Sequence, residues 1–171
     1  QIPFNENKEL RLNNNTFLKF KTNKVKDFSY MFNNCLATQD FDMSTFDTSN
    51  AINMSHMFYY CLRICYFKFP KTFTCENCVD FTSMFESCCS SYGFDLTSFK
   101  FSKAEFIESM FKECSKAKII KFPLDHYYFE KVTSLNDIFA DCTSLEEVDI
   151  SQWETKNIKT NLKKLWNMLK A

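Results

Sequence analysis

The residues of this 171-residue chain best suited to chemistry are nine cysteines and two histidines. A thiolate beside a positioned histidine would be a nucleophile, and a Cys-x-x-Cys pair is half of a tetrahedral zinc site. Cys75-Glu76-Asn77-Cys78 has that spacing, but no second pair completes it. His56 and His126 are seventy residues apart, and neither stands in a nucleophile or metal motif. The sequence therefore assigns no catalytic residue, no metal ligand and no cofactor, and the chain reads as a non-enzyme.

Five of the cysteines close one repeated motif. Met57-Phe58-Tyr59-Tyr60-Cys61 returns as Met31-Phe32-Asn33-Asn34-Cys35, Met84-Phe85-Glu86-Ser87-Cys88, Met110-Phe111-Lys112-Glu113-Cys114 and Ile138-Phe139-Ala140-Asp141-Cys142, at intervals of 26, 27, 26 and 28 residues. A fixed period of this size marks stacked structural repeats. Within each copy the apolar residues fall at i, i+3, i+4 and i+7, as in Phe81, Met84, Phe85 and Cys88, which predicts a short amphipathic helix. Asp27, Asn53, Asp80 and Ser134 stand where each helix would need an N-terminal cap, and Phe106 breaks the rule in the fourth copy.

Six residues after each motif cysteine comes an apolar-polar-apolar triplet, whose period of two predicts a strand: Phe41-Asp42-Met43, Phe67-Lys68-Phe69, Phe94-Asp95-Leu96, Ile120-Lys121-Phe122 and Val148-Asp149-Ile150. An aromatic follows each (Phe46, Phe73, Phe99, Phe129, Trp153), and a small apolar column precedes each motif (Val25, Ala51, Cys78, Ala104, Val132, with Ile158 last). The middle residues of the triplets, preceded by Arg11, alternate in sign: Arg11, Asp42, Lys68, Asp95, Lys121, Asp149. Parallel stacking about 4.8 Å apart would set each charge between two opposite ones. The expected architecture is an α/β solenoid of about five coils, one strand and one helix per coil. Residues 1–24 form an N-terminal cap with a partial coil, 25–158 the repeats, and 159–171 a capping helix bearing Leu162, Leu165, Trp166 and Leu169 on one face.

With helices packed about 8–10 Å apart, neighbouring motif cysteines would lie beyond the roughly 7 Å Cα limit for a disulfide. They read as buried apolar filler. Cys65, Cys75 and Cys89 stay open between free thiol, disulfide and half a zinc site. Asn14-Asn15-Thr16 and Asn53-Met54-Ser55 fit glycosylation acceptors.

Composition narrows the partners. Twenty-one basic and twenty-one acidic residues cancel, so no whole-molecule field argues for nucleic acid or an anionic membrane surface. Phe occurs 21 times and Gly once, which suits a dense core and not a glycine-rich phosphate loop. No run of about 18 apolar residues predicts a transmembrane helix. A start at Gln1 fits a trimmed product.

The repeats resemble the BspA-type leucine-rich repeat family, on Met54-Ser55-His56-Met57-Phe58-Tyr59-Tyr60-Cys61 and on Phe41-Asp42-Met43-Ser44-Thr45-Phe46-Asp47-Thr48-Ser49-Asn50. The resemblance covers residues 25–158, with the Lys-Phe-Pro copies as a departure. It implies a curved stack with a parallel sheet on one side, no catalytic residues, a cell-surface or secreted location, and binding or adhesion to proteins or extracellular matrix. The alternative is a structural spacer or coat segment without a specific ligand. If a ligand binds the strand face, the candidate contacts are Tyr66 and Ile119 in one outward column, Lys68 and Lys121 beside them, and Tyr127 and Tyr128 in the longest inter-strand loop.

Overall fold

A computed structural model describes residues 21–35, 40–43, 46–125 and 128–159. The period is real in space: coils stack so that equivalent residues of successive copies lie side by side. Five short strands, β1 (Asp40–Asp42), β2 (Tyr66–Lys68), β3 (Phe94–Asp95), β4 (Ile119–Lys121) and β5 (Glu147–Val148), carry one flank. They pair in parallel as a two-stranded sheet, β1-β2, and a three-stranded sheet, β3-β4-β5. In backbone register Phe41 pairs with Phe67, Phe94 with Ile120, and Ile120 with Val148. In β2 the side chains of Tyr66 and Lys68 point out while Phe67 is buried, as period two requires.

The expected helix of each coil does not form, and with it the α/β class falls: the described residues contain strands and turns and no helix. In the motif segments every second amide donates to the next coil: Phe28 N to Asn53 O at 2.8 Å, Tyr30 N to Ser55 O at 3.1 Å, Phe32 N to Met57 O at 2.9 Å and Asn34 N to Tyr59 O at 2.7 Å. The amides between them donate back three residues, Met31 N to Phe28 O, Asn33 N to Tyr30 O and Cys35 N to Phe32 O, at 3.1–3.2 Å. No amide is left for the i→i−4 bond of an α-helix. Alternate turns carry a left-handed residue at their third position, as type II turns require. These are Tyr30 and Asn34, His56 and Tyr60, Ser83 and Ser87, Ser109 and Glu113, Asp137 and Asp141, with φ of 53–60°.

Spacing explains the outcome. Strands stack about 4.8 Å apart, whereas helices need about 8–10 Å, so a helix in every coil would spread that flank and curve the stack. The turn ladder fits because it is as thin as a strand. It also turns the same residues inward as a helix would: Phe81, Met84, Phe85 and Cys88 are at most 1% exposed. The cap residues keep their chemistry in a new setting. Asp27, Asn53 and Asp80 each accept the amide of the residue two ahead, Ser29, Ser55 and Thr82, at 2.8–2.9 Å, and Ser134 accepts Asn136 N at 3.3 Å. These are side-chain turns, not helix caps. Of the proposed C-terminal helix over 159–171, only Lys159 is described, and it is not helical; 160–171 lie outside the described residues, as do 1–20 of the proposed N-terminal cap, Arg11 among them.

The core is aromatic. Phe32, Phe58, Phe85, Phe111 and Phe139 form a column of parallel rings at centroid spacings of 5.5–5.8 Å, and Trp153 continues it from Phe139 at 6.0 Å. The post-strand aromatics Phe46, Phe73, Phe99, Phe129 and Trp153 are all buried, as are Ala51, Cys78, Ala104 and Val132 of the small column. Each buried ring removes enough apolar surface from water to contribute about 1.5–3 kcal/mol, with a further 0.5–1.5 kcal/mol for a well-placed ring pair.

Candidate functional site

Turns and strands fix which side chains reach solvent. On the strand face, Tyr66 (43% exposed) and Tyr92 (75% exposed) meet edge to face at 6.1 Å. Next to Tyr92 is Gly93, the one glycine, which stands between Tyr66 and Ile119 in the outward column. Its φ is +83°, and a Cβ there would collide with the Ile119 carbonyl oxygen. Ser90 holds the turn: its hydroxyl donates to Gly93 O at 2.7 Å and Cys65 O at 3.2 Å. The Gly93 amide donates back to Ser90 O at 3.1 Å, within its own coil, and β2 and β3 belong to separate sheets.

Beside the pair lies a shallow cleft of about 170 Å³ lined by Tyr66, Lys68, Phe69, Lys71, Asp95 and Thr97 among others. Asp95 Oδ1 accepts from the Thr97 amide at 3.1 Å and the Thr97 hydroxyl at 2.6 Å, which fixes its carboxylate at the cleft edge. Lys68 and Lys121 are exposed, and Ile119 is half-buried. The charge column is in register where strands pair, Asp42 with Lys68 and Asp95 with Lys121. No ion pair forms among Lys68, Asp95, Lys121 and Asp149. Inter-coil ion pairs occur elsewhere, at Lys131–Glu105 (3.2 Å) and Lys118–Glu146 (2.9 Å).

Tyr128 does not belong to this surface. It is 1% exposed and packs on Phe129, Phe101 and Phe122 at ring separations of 4.7, 5.5 and 6.2 Å. Its amide bonds to Gln152 O, and a bridge to Trp153 draws it inward. Burial pushes its phenol well above the ordinary value. The long loop thus turns an aromatic into the core instead of presenting it. Tyr127 and His126 lie outside the described residues.

The thiols are placed for packing. Cys61, Cys88, Cys114 and Cys142 each donate to the carbonyl of the motif Phe one coil back (Phe32, Phe58, Phe85, Phe111) at 3.0–3.2 Å. Burial pushes the Cys75, Cys88 and Cys114 thiols well above the usual range, and Cys78 and Cys142 up to about 12. Such groups stay protonated at neutral pH and are poor nucleophiles. The Cys75 and Cys78 thiols turn to different partners, Met54 Sδ at 3.4 Å and Asp80 O at 3.4 Å. Among the described residues no group of three or more His, Cys, Asp or Glu side chains could hold a metal ion. None of the nine cysteines is in a disulfide. The helix spacing that argued against disulfides between motif cysteines does not apply at strand spacing; the thiol-carbonyl bonds are what occupy them.

Tyr92 and a second aromatic group, the exposed Tyr30 and Tyr60 with the half-buried His56 and Tyr59, were not among the binding candidates read from the sequence. The signal for Tyr92 was its place before the only glycine; that for Tyr60 was an aromatic at a motif position where later copies carry Ser, Glu and Asp. Among the described residues no helix is long and apolar enough to cross a membrane. Neither a curated protein nor a solved structure matches the chain. One family model matches it three times, over residues 3–88, 66–120 and 115–170, as overlapping matches to a repeating chain should. The chain belongs to the family described as Mycoplasma protein of unknown function, DUF285.

Proposed function

We propose that the chain is a non-catalytic binding module of the cell surface, using its strand face to hold a protein or extracellular-matrix ligand. The observation that carries this reading is the exposed Tyr66–Tyr92 pair beside Lys68 and a shallow cleft. Tyrosines supply large contact area at low conformational cost and are enriched in protein interfaces. Lys68, Lys71 and Asp95 around them would form the polar rim. The resemblance to BspA-type repeats supports the same class of partner and the same location. Among the described residues the Cys75, Cys88 and Cys114 thiols are buried with their ionisation pushed well up, which does not suit them to nucleophilic catalysis.

The test is binding to a panel of purified matrix proteins, comparing the parent with Tyr66→Ala/Tyr92→Ala. One ligand bound by the parent and lost by at least about tenfold in the double variant is expected for paired hot-spot tyrosines. Equal binding by both would count against the strand face as the site, and no ligand in the panel for either would favour a spacer or coat segment.

A further inference from the structure

The turn ladder carries a second surface. Tyr60, Ser87, Glu113 and Asp141 occupy one column, stacked by Tyr60 N→Glu86 O, Ser87 N→Lys112 O and Glu113 N→Ala140 O at 2.7–2.9 Å. Along it runs a groove of about 390 Å³ whose walls include Tyr60, Leu62, Glu113, Asp141 and Thr143. At Tyr60 the groove meets a continuous strip of rings: Tyr60 on Tyr59 at 6.0 Å, Tyr59 on His56 at 5.5 Å, and His56 on Tyr30 at 4.6 Å with ring planes 9° apart.

Two observations set this surface apart. The left-handed backbone is unfavourable for a bulky side chain, and the later coils place Ser, Glu or Asp at these positions. The first two coils place Tyr30, His56 and Tyr60 there instead, with Tyr30 and Tyr60 54% and 44% exposed, so core burial does not offset the cost. The groove is also of one sign. Glu113 and Asp141 line it and no basic side chain does. Lys112 lies 3.4 Å from Glu86 and 3.8 Å from Glu113, so its charge is shared between them. Ser87 Oγ donates to Glu113 Oε2 at 2.7 Å and orients that carboxylate.

We propose that this groove binds an extended, lysine- or arginine-bearing segment of a partner protein. Carboxylates give such heads charge-assisted hydrogen bonds, and the faces of exposed tyrosines attract cations. Coil stacking repeats the acceptors along the groove at about strand spacing, which suits an extended chain better than a compact ligand.

The experiment is fluorescence anisotropy with two labelled decapeptides, alternating Lys-Ser and alternating Glu-Ser, and a chito-oligosaccharide as competitor. The parent should bind the lysine peptide at least about tenfold more tightly than the glutamate peptide, and less tightly in 0.5 M salt. Glu113→Gln/Asp141→Asn should weaken binding at least about fivefold. Tyr60→Asn, a change to a residue that tolerates the left-handed backbone, should weaken it about threefold or more without loss of thermal stability. Tyr66→Ala/Tyr92→Ala should bind the lysine peptide like the parent, which separates this surface from the strand face. Equal affinity for the two peptides, parent-like binding by the folded carboxylate variant, or displacement of the peptide by the oligosaccharide would overturn the proposal.

Discussion

The Cys114 thiol donates to the carbonyl oxygen of Phe85, one coil back, at 3.0 Å, and the same oxygen accepts the Cys88 amide at 3.1 Å. One carbonyl thus ties a turn to its own coil and to the next. Cys114→Ala should lose that bond and leave a small void, lowering stability by about 1–2 kcal/mol in urea denaturation. Native protein should resist iodoacetamide at Cys61, Cys88 and Cys114; rapid labelling there would show that the column is open to solvent.

Alkali should unfold the protein through these thiols. An unfolded cysteine ionises near pH 8.5, whereas Cys78 and Cys142 ionise at about 12 in the fold and Cys75, Cys88 and Cys114 are also pushed up. Their folded values are raised, so the contribution is fully present below about pH 8.5. It is then lost as pH climbs toward the folded values, by about 1.4 kcal/mol per pH unit for each fully ionised thiol. Urea midpoints at pH 7.5 and 9.5 check this, with Cys88→Ala/Cys114→Ala flattening the slope; parallel slopes would count against buried thiols.

Phe85→Ala should cost about 3–5 kcal/mol, because that ring is fully buried between Phe58 and Phe111 at 5.5 Å on either side. Phe32 is only half-buried, so Phe32→Ala should cost clearly less. Similar small losses at both sites in chemical denaturation would contradict the ring column.

Much of this was legible in the sequence. The period of 26–28 residues gave the stacking, and every column read as inward, from Phe81 and Met84 to Phe99 and Ala104, is inward. The helix was not legible as an error, because positions i, i+3, i+4 and i+7 face inward in the turn ladder too. What separates the two is the backbone at Ser83 and Ser87, where residue type leaves φ open. Tyr128 was misread because loop length does not reveal whether an aromatic within the loop turns inward. Tyr66 and Lys68 were placed correctly because period two leaves one choice of face.

Gly93→Ala should be among the most damaging single changes outside the aromatic core, at about 2 kcal/mol or more. Its Cβ would collide with the Ile119 carbonyl, and its φ of +83° disfavours any side chain. Thermal unfolding checks it against Tyr92→Ala, which should be nearly neutral because that ring is 75% exposed. An unchanged midpoint in Gly93→Ala would contradict the close approach of β3 to β4.

Lys68→Asp would set a carboxylate directly beside Asp42 in the parallel register. The expected loss is about 0.2–1 kcal/mol at low salt, shrinking in 1 M salt, where the screening length is about 3 Å. A salt-independent loss would point to packing, not charge.

Both proposed binding surfaces rest on the register in which the coils stack, and NMR couplings transmitted through hydrogen bonds read that register atom by atom. The Phe85 amide should couple to the carbonyl carbon of Met110, whose oxygen it meets at 2.9 Å, and the Phe58 amide to that of Met84, also at 2.9 Å. Coupling of the Phe85 amide to the Phe81 carbonyl instead would mean a helix in each coil, and would contradict the ladder and the two surfaces built on it.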